Sequence, residues 1–273
     1  MSFHEALLST SALVFVVLFL ISLETVRIFN LDLKRSCTSM SFFREFLKAS
    51  SWLVALLSFL GGLLLISILL VEQSYINFSF SRDPHHSLNI FSLCVFIFLL
   101  LWIFGVCHYF RGRLNGGSDA MLFQVLVGLC VSWFGALIRG NLGEVLQIAG
   151  LSWISIQVTV SYFIAGAIKA RNRRWWKGDV FFEILQKPIY SISPWIKNVA
   201  KSHGALCSAS AGVIVFELTF PLVWIFPQFL GIYLALGILF HFAVGLTFGL
   251  HRFFWVWLST YPAVYFSVTY IHK

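Results

Sequence analysis

The sequence predicts an all-α fold, a polytopic integral membrane helical bundle with about eight transmembrane helices. Of the 273 residues, 59% are hydrophobic and only 11% are charged, whereas about a quarter of the residues in a soluble domain are charged. The mean hydropathy is +0.87. Thirty phenylalanines and ten tryptophans suit lipid-facing and interfacial positions. We therefore expect one transmembrane domain over 1–273, embedded in the lipid bilayer, with no soluble domain.

Each predicted helix is an apolar stretch of about the length that crosses a bilayer. In chain order these stretches lie near 7–29, 51–71, 90–110, 121–138, 150–169, 206–225, 229–250 and 252–270. The fourth is short and contains Gly128 and Gly135, so seven or nine spans are alternatives to eight. Only His251 and Arg252 separate the last two stretches, which allows a broken helix or a re-entrant pair at that point.

The distribution of lysine and arginine among the loops predicts the orientation of the chain, because cytoplasmic loops are enriched in these residues. With eight spans, one side of the membrane carries fourteen of the nineteen basic residues. These lie in loops 30–50, 111–120 and 170–205 and in the short 251–252 link. The other side carries Arg82, Arg139 and Lys273. We therefore expect both termini to lie outside the cytoplasm, with a bacterial inner membrane as the predicted location.

Loop 170–205 is predicted to contain an interfacial amphipathic segment near 175–200. Its aromatic and aliphatic side chains alternate with basic ones, which is typical of short helices that lie in the membrane interface. Pro188 and Pro194 interrupt it. The segment is either a clamp on the membrane surface or a lid over a site that opens near Lys169.

Ionisable residues inside the spans are the main candidates for function, because an intramembrane charge normally faces the protein interior and has a partner. Lys169 ends an apolar run and precedes a basic cluster. It is either an interfacial anchor whose stem snorkels to the surface or a functional amine in a pocket of low dielectric. Glu24 and Arg27, three residues apart on the first span, are expected to form a structural pair.

Four further polar positions are candidates on weaker grounds. Glu217 lies in the middle of the sixth span and needs a cation or a proton. His241, in the seventh span, is either a core histidine or a proton acceptor. Asp119 opens the fourth span, where the alternative role is a helix N-cap. Tyr162 can donate a hydrogen bond to a bound headgroup.

Several classes of function are disfavoured by the sequence. The five cysteines form no CxxC pair, and neither an HExxH motif nor a cluster of carboxylates is present, so no metal site is predicted. A Walker loop and a GxSxG elbow are also missing. The basic residues lie in short loops between spans, so nucleic acid is not an expected partner.

Four segments in consistent order resemble the membrane domain of the vitamin K-dependent gamma-carboxylase family, whose bacterial members are called horizontally transferred transmembrane domain (HTTM) proteins. The segment SYFIAGAIKARNRRWWKGD at 161–179 contains Lys169 and a Trp-x-Gly at Trp176. The loop HYFRGRLNGGSDAML at 108–122 contains Asp119. The other two are FELTFPLVWIFP at 216–227 and LFHFAVGLTFGLHRFFWVWLSTYPAVYF at 239–266. The resemblance covers about 100–266.

The resemblance implies that Lys169 is the base that deprotonates a reduced quinone, vitamin K hydroquinone, with His241 as the second catalytic group. It places Tyr162, Glu217, Asp119 and Trp176 around a quinone-like cofactor. A desolvated amine gives up its proton more readily than one in water, which suits that role. The family's carboxylases have a large globular region that holds a protein substrate, and this sequence ends at Lys273. What the resemblance implies here is a cavity for a quinone or isoprenoid molecule.

Two hypotheses for function follow. The first is a quinone-linked membrane enzyme that uses Lys169 as base and acts on a peptide or a small lipid-soluble substrate. The alternative is a non-catalytic membrane subunit for the maturation, export or assembly of a partner membrane or secreted protein or peptide. Some short bacterial relatives in the family act in the export or maturation of secreted peptide toxins, and this chain could resemble them. Transport or lipid handling is a third class.

Overall fold

A computed structural model describes residues 2–32, 41–74, 84–109, 116–186 and 201–273, and helices account for nearly all of them. The ten α-helices in these ranges are α1 (Phe3–Asp32), α2 (Ser41–Ser74), α3 (Pro84–Tyr109), α4 (Gly116–Gly135), α5 (Asn141–Arg171), α6 (Arg173–Trp176), α7 (Asp179–Leu185), α8 (His203–Thr219), α9 (Leu230–Phe248) and α10 (His251–Ile271). Two short 3₁₀ helices, Phe220–Trp224 and Pro227–Phe229, join α8 to α9. Each of the eight apolar stretches lies mainly within a long helix.

Six of these helical stretches are long and apolar enough to cross a membrane: Phe3–Val26, Asn89–Tyr109, Gly117–Gly135, Asn141–Arg171, His203–Trp224 and Pro227–Phe248. A seventh apolar stretch, Phe46–Gly62, is shorter. The α10 helix has the required length but is not one of the six. The protein is therefore an all-α, multi-pass membrane protein, as the sequence predicts.

The described chain divides into two compact units, residues 1–155 with 255–267 and residues 156–254 with 268–273. In the first unit, α1 and α2 pack against each other. The Phe15 ring of α1 lies against Gly61 of α2, where an added Cβ would be only 3.0 Å from the ring. Phe15 also contacts Phe96 of α3. Trp133 of α4 donates its indole N–H to Ser11 Oγ at 3.3 Å, which ties α4 to α1.

Small residues bring α4 and α5 together in the first unit. A Cβ added to Gly150 would overlap Ser132 Oγ and the Gly128 carbonyl oxygen. Ser132 Oγ donates to the Gln147 carbonyl oxygen at 2.9 Å. Close backbone approach at glycine and serine is typical of packing between membrane helices, where dispersion and hydrogen bonds drive association. The glycines of the short fourth span therefore serve helix packing.

The second unit contains the part of the predicted interfacial segment that the structure describes. Asn172 caps α6 by accepting a hydrogen bond from the Arg174 backbone N–H at 3.0 Å. In α7, Leu185 is buried against Leu206 of α8, with Phe181 packed on them, while Phe182 is exposed. Two short helices, α6 and α7, are thus present over 173–185, and α7 buries one side chain against α8 while another is exposed. Residues 187–200, with Pro188 and Pro194, lie outside the described residues.

The junction between the last two apolar stretches is a break between separate helices. The α9 helix ends at Phe248, and Gly249 has a φ of +69°, a conformation that a residue with a Cβ rarely adopts. The α10 helix begins at His251.

The side chain of Arg27, predicted to pair with Glu24, lies outside the described residues.

Candidate functional site

An ion pair between Lys169 and Glu217 forms the centre of the candidate site in the second unit. Lys169 Nζ donates to both carboxylate oxygens of Glu217, at 2.7 Å to Oε1 and 2.6 Å to Oε2. The Glu217 side chain is 4% exposed and that of Lys169 18% exposed. A charge in a membrane span is stabilised by a partner of opposite sign. The two residues, 48 positions apart in the sequence, therefore neutralise each other between α5 and α8.

Gly166 allows α5 and α8 to approach closely enough for this pair to form. A Cβ at position 166 would lie 2.7 Å from the Leu218 backbone nitrogen and 2.9 Å from Glu217 Cβ. A real Cβ atom does not come this close to another atom. The Leu218 nitrogen belongs to the backbone, so it cannot move away by a change of side-chain rotamer. The glycine thus sets the helix–helix distance one turn before Lys169.

Trp175 covers the ammonium end of Lys169. The centroid of its ring lies 5.5 Å from Nζ, within the range of a cation–π interaction. The Trp175 carbonyl oxygen accepts a hydrogen bond from Ser210 Oγ on α8 at 2.5 Å. The α6 turn is thereby fastened to α8 next to the ion pair.

A second polar pair lies deeper along α5. Tyr162 Oη and His241 Nε2 are 2.6 Å apart, and both residues are 2% exposed. Tyr162 and Lys169 are seven positions apart, so they share one face of α5 at a separation of about 10 Å along the helix axis. The face of α5 that carries Lys169 therefore also carries the contact to His241 of α9.

Aromatic rings surround the Tyr162–His241 pair. The Tyr162 ring lies 4.4 Å from that of Phe220 and 5.2 Å from that of Phe216, and His241 lies 5.2 Å from Phe253. Phe216 and Phe220 also contact Tyr233 of α9. Such a shell excludes water, which strengthens the hydrogen bond inside it.

The structure therefore brings together four of the six residues that the sequence singles out: Lys169, His241, Tyr162 and Glu217. Trp176 is 41% exposed, and its indole N–H donates to the Ala170 carbonyl oxygen at 2.9 Å, so it closes the C-terminal end of α5. Asp119 is buried in the first turn of α4 and belongs to the other compact unit. Their roles toward a cofactor stay predictions.

Sequence reasoning missed three contributions to the site. It singled out Trp176, but Trp175 is the indole next to Lys169. The α5 helix ends at Arg171, and α6 begins at Arg173 after Asn172. Because the two helices are separate, the helical repeat of α5 cannot predict which of the two adjacent tryptophans faces α8. The aromatic shell around Tyr162 was missed because phenylalanine is common throughout the chain. Gly166 looked ordinary among the small residues of α5.

The described residues contain no group of three or more His, Cys, Asp or Glu side chains that could hold a metal ion. Chemically, the site offers an amine, a carboxyl group, an imidazole and a phenol in an apolar aromatic environment. Comparison with known families, with curated proteins and with solved structures finds nothing that matches this chain.

Proposed function

We propose that this protein is a membrane-embedded acid–base enzyme of the gamma-carboxylase-like HTTM type, with Lys169 as its base. The observation that carries the proposal is the Lys169–Glu217 ion pair within two candidate spans. An ionisable residue inside a span is costly and usually serves function. Here Lys169 contacts the Trp175 ring, and Glu217 follows Phe216 of the aromatic shell in the sequence, which suits a lipid-soluble substrate.

The residues fit a quinone-like cofactor in their chemistry. A quinone has a flat apolar ring with polar oxygens at its edge, and the site combines ring surfaces from Phe216, Phe220 and Trp175 with hydrogen-bonding groups. When bound, a hydroquinone supplies an acidic hydroxyl and a reduced ring that reacts with oxygen. Lys169 and His241 are the residues that would hold its oxygens.

Lys169 can act as a base only after its ion pair rearranges. An ammonium group has three hydrogens and no lone pair. A proton must pass from Nζ to Glu217, which leaves a neutral amine and a carboxylic acid without changing the net charge of the pair. The amine then accepts a proton at Nζ, while Glu217 retains the first one. Glu217 is therefore the partner that frees the lone pair.

The Tyr162–His241 pair provides a second route for a proton. In the neutral imidazole one ring nitrogen accepts and the other donates, so Nε2 can take the hydrogen of the Tyr162 hydroxyl at 2.6 Å. We place this pair as the group that returns a proton to the substrate. The proposed location is a bacterial inner membrane, with the Lys169 end of α5 toward the cytoplasm.

The first prediction concerns Lys169→Arg in the purified full-length protein in proteoliposomes. Arginine keeps the positive charge but does not deprotonate in proteins, so the variant retains the ion pair and loses the base. We expect wild-type protein to accelerate the oxygen-dependent consumption of vitamin K hydroquinone. Lys169→Arg should reduce that rate by roughly 100-fold or more, the range for loss of a general base. Hydroquinone absorbance measures it.

Lys169→Ala and Glu217→Gln should lose activity too, and the unfolding temperature of each variant separates loss of chemistry from loss of folding. The proposal fails if wild-type protein gives no acceleration over protein-free liposomes. It fails equally if folded Lys169→Arg keeps full activity.

A second function is favoured by one observation. Lys169 Nζ donates hydrogen bonds to both carboxylate oxygens of Glu217, and Gly166 lets α5 and α8 approach closely beside this pair. An ion pair at a close helix–helix contact can act as a structural clamp that holds the two helices together. In that case the protein is a non-catalytic subunit for the maturation, export or assembly of a partner membrane or secreted protein or peptide.

The double variant Lys169→Met with Glu217→Leu distinguishes the two functions. Replacing a buried ion pair by apolar residues is often neutral or stabilising, whereas removing one partner costs about 3–5 kcal/mol. A clamp therefore tolerates the double change, and a partner identified by mass spectrometry after isolation in mild detergent still copurifies. An enzyme folds with the double change but loses its activity.

A further inference from the structure

A cysteine and a histidine lie together on α8, apart from the Lys169 pair. Cys207 Sγ is 3.5 Å from Nδ1 of His203 and 3.1 Å from the carbonyl oxygen of Lys177. His203 and Cys207 are four residues apart, so they lie on the same face of the helix. Neither the proposed acid–base mechanism nor the structural clamp uses these two side chains.

The first turn of α8 and a tight turn after α6 hold this pair in place. Ser202 caps the helix, since its Oγ accepts from the Ala205 backbone N–H at 3.4 Å. Gly178 has a φ of +74°, and a Cβ there would lie 2.9 Å from Leu206 Cβ and 3.0 Å from the Cys207 nitrogen. Only a glycine lets the Lys177 carbonyl approach the thiol this closely.

A pocket of about 400 Å³ opens beside the pair, and His203 forms part of its wall. Leu206, next to Cys207 in the sequence, also lines it. The remaining lining residues are Arg174, Gly178, Asp179, Phe182, Glu183 and Lys201. The lining holds two basic and two acidic side chains, and Arg174 and Glu183 form an ion pair with each other. The apolar side chains of Phe182 and Leu206 offer a surface for the hydrocarbon chain of an acyl group.

We propose that Cys207 is an S-acylation site, at which a long-chain acyl thioester of coenzyme A transfers its acyl group to Sγ with His203 as the general base. Rotation about the Cβ–Sγ bond turns the thiol hydrogen from the Lys177 oxygen toward Nδ1, which then accepts the proton. Sulfur forms a bond to the thioester carbonyl carbon. The bond from that carbon to the donor sulfur breaks, and the departing thiolate takes the proton from His203. No group is oxidised or reduced.

The position of the pair supports an acyl group in particular. His203 begins a candidate membrane span, so a chain attached to Cys207 can extend along α8 into the lipid. The basic run that includes Arg171, Arg173 and Arg174 predicts a cytoplasmic location for this end of α8, where acyl thioesters of coenzyme A are made. Cysteines next to membrane spans are the usual targets of such acylation.

Single-cysteine variants of the full-length protein test the proposal. One variant keeps Cys207 and replaces Cys37, Cys94, Cys107 and Cys130 by serine; the matched control keeps Cys130 instead. Each is purified in detergent and incubated with palmitoyl-coenzyme A, and intact mass spectrometry before and after hydroxylamine measures thioester formation. We expect the Cys207 variant to gain one hydroxylamine-sensitive palmitoyl group and the Cys130 variant to gain none.

Adding His203→Ala to the Cys207 variant should slow acylation roughly 100-fold, the lower range for a general base. In otherwise wild-type protein isolated from cell membranes, Cys207→Ser should remove the hydroxylamine-sensitive acyl group, which gives a second readout that is independent of the serine background. The proposal is overturned if Cys207 and Cys130 react at equal rates, if His203→Ala leaves the rate unchanged, or if no acyl group forms on Cys207 in either experiment.

Discussion

Tyr162 and His241 illustrate how a hydrogen bond between side chains is set inside an apolar membrane protein. Their polar atoms are 2.6 Å apart and enclosed by phenylalanine rings. Burial of a polar group without a partner costs about 1–3 kcal/mol, more than the net gain of about 1 kcal/mol from making the bond. The pair therefore fixes the register between α5 and α9 as well as offering acid–base groups.

At this scale we predict that Tyr162→Phe lowers the free energy of unfolding by about 1–3 kcal/mol, the cost of leaving a buried acceptor unsatisfied. The ring and its contacts to Phe216 and Phe220 are retained, so packing changes little. Thermal unfolding in detergent, followed by tryptophan fluorescence, measures the change.

The control is Tyr233→Phe, because the half-buried Tyr233 ring joins the same aromatic cluster. Tyr233→Phe should change the free energy of unfolding by no more than about 0.5 kcal/mol, which is typical of a substitution that removes no buried interaction. Equal unfolding temperatures for wild type and Tyr162→Phe would show that the hydrogen bond contributes nothing.

At the scale of the helix, contact between α5 and its neighbours depends on glycine. Gly150 meets α4 in the first unit, and Gly166 meets α8 in the second. The 31-residue α5 thus carries two close contacts on a single helix. Each contact includes a backbone atom of the neighbouring helix, the Gly128 oxygen at Gly150 and the Leu218 nitrogen at Gly166, so a change of side-chain rotamer alone cannot relieve a clash.

We predict that Gly166→Ala destabilises the protein by about 1–3 kcal/mol, the usual cost of overpacking. It should also lengthen the Lys169–Glu217 distance, because the added Cβ pushes against the backbone of Leu218. Thermal unfolding in detergent measures the change in stability. A lower rate of the proposed hydroquinone consumption would report the disturbed Lys169–Glu217 pair.

Gly212→Ala on α8 is the matched control, since a Cβ at that position has no atom within 4 Å. In a helix, alanine is also favoured over glycine by about 1 kcal/mol, so this variant should be as stable as wild type or more so. If Gly166→Ala behaves like Gly212→Ala, the close approach of α5 and α8 is not as described.

At the scale of the whole molecule, the arrangement in the membrane follows from charge and from the number of spans. Six and eight spans both place the two termini on the same side. We predict that alkaline phosphatase fused after Lys273 is active, because that enzyme needs a location outside the cytoplasm, whereas a fusion after Gln186 is inactive. Green fluorescent protein at the same two positions should give the reverse pattern.

Replacing Arg171, Arg173, Arg174 and Lys177 together by glutamine tests the physical basis of the predicted orientation. The change removes much of the basic excess in loop 170–205, and we expect it to produce a mixed population in the phosphatase assay. A fluorescent fusion after Lys273 in the unaltered protein would contradict the predicted orientation.

The fold class and most of the helix positions could be predicted from the sequence, because both depend on local properties. A run of about 20 apolar residues must be helical in lipid, where each backbone polar group needs a partner within the segment. This rule located all eight long helices among the residues that the structure describes, and the two-residue link at His251 and Arg252 indicated the break after α9. The rule also identified the costly polar residues, among them Lys169, Glu217 and His241.

Which of these residues meet was decided only by the tertiary structure. Lys169 and Glu217 are 48 positions apart and Tyr162 and His241 are 79 apart, and no periodicity links positions on different helices. The contacts depend on where Gly166 lets two backbones approach and on how Asn172 ends α5 and turns Trp175 toward α8. The sequence by itself determined which residues need a partner in the membrane; the packing of the helices decided which partner each one has.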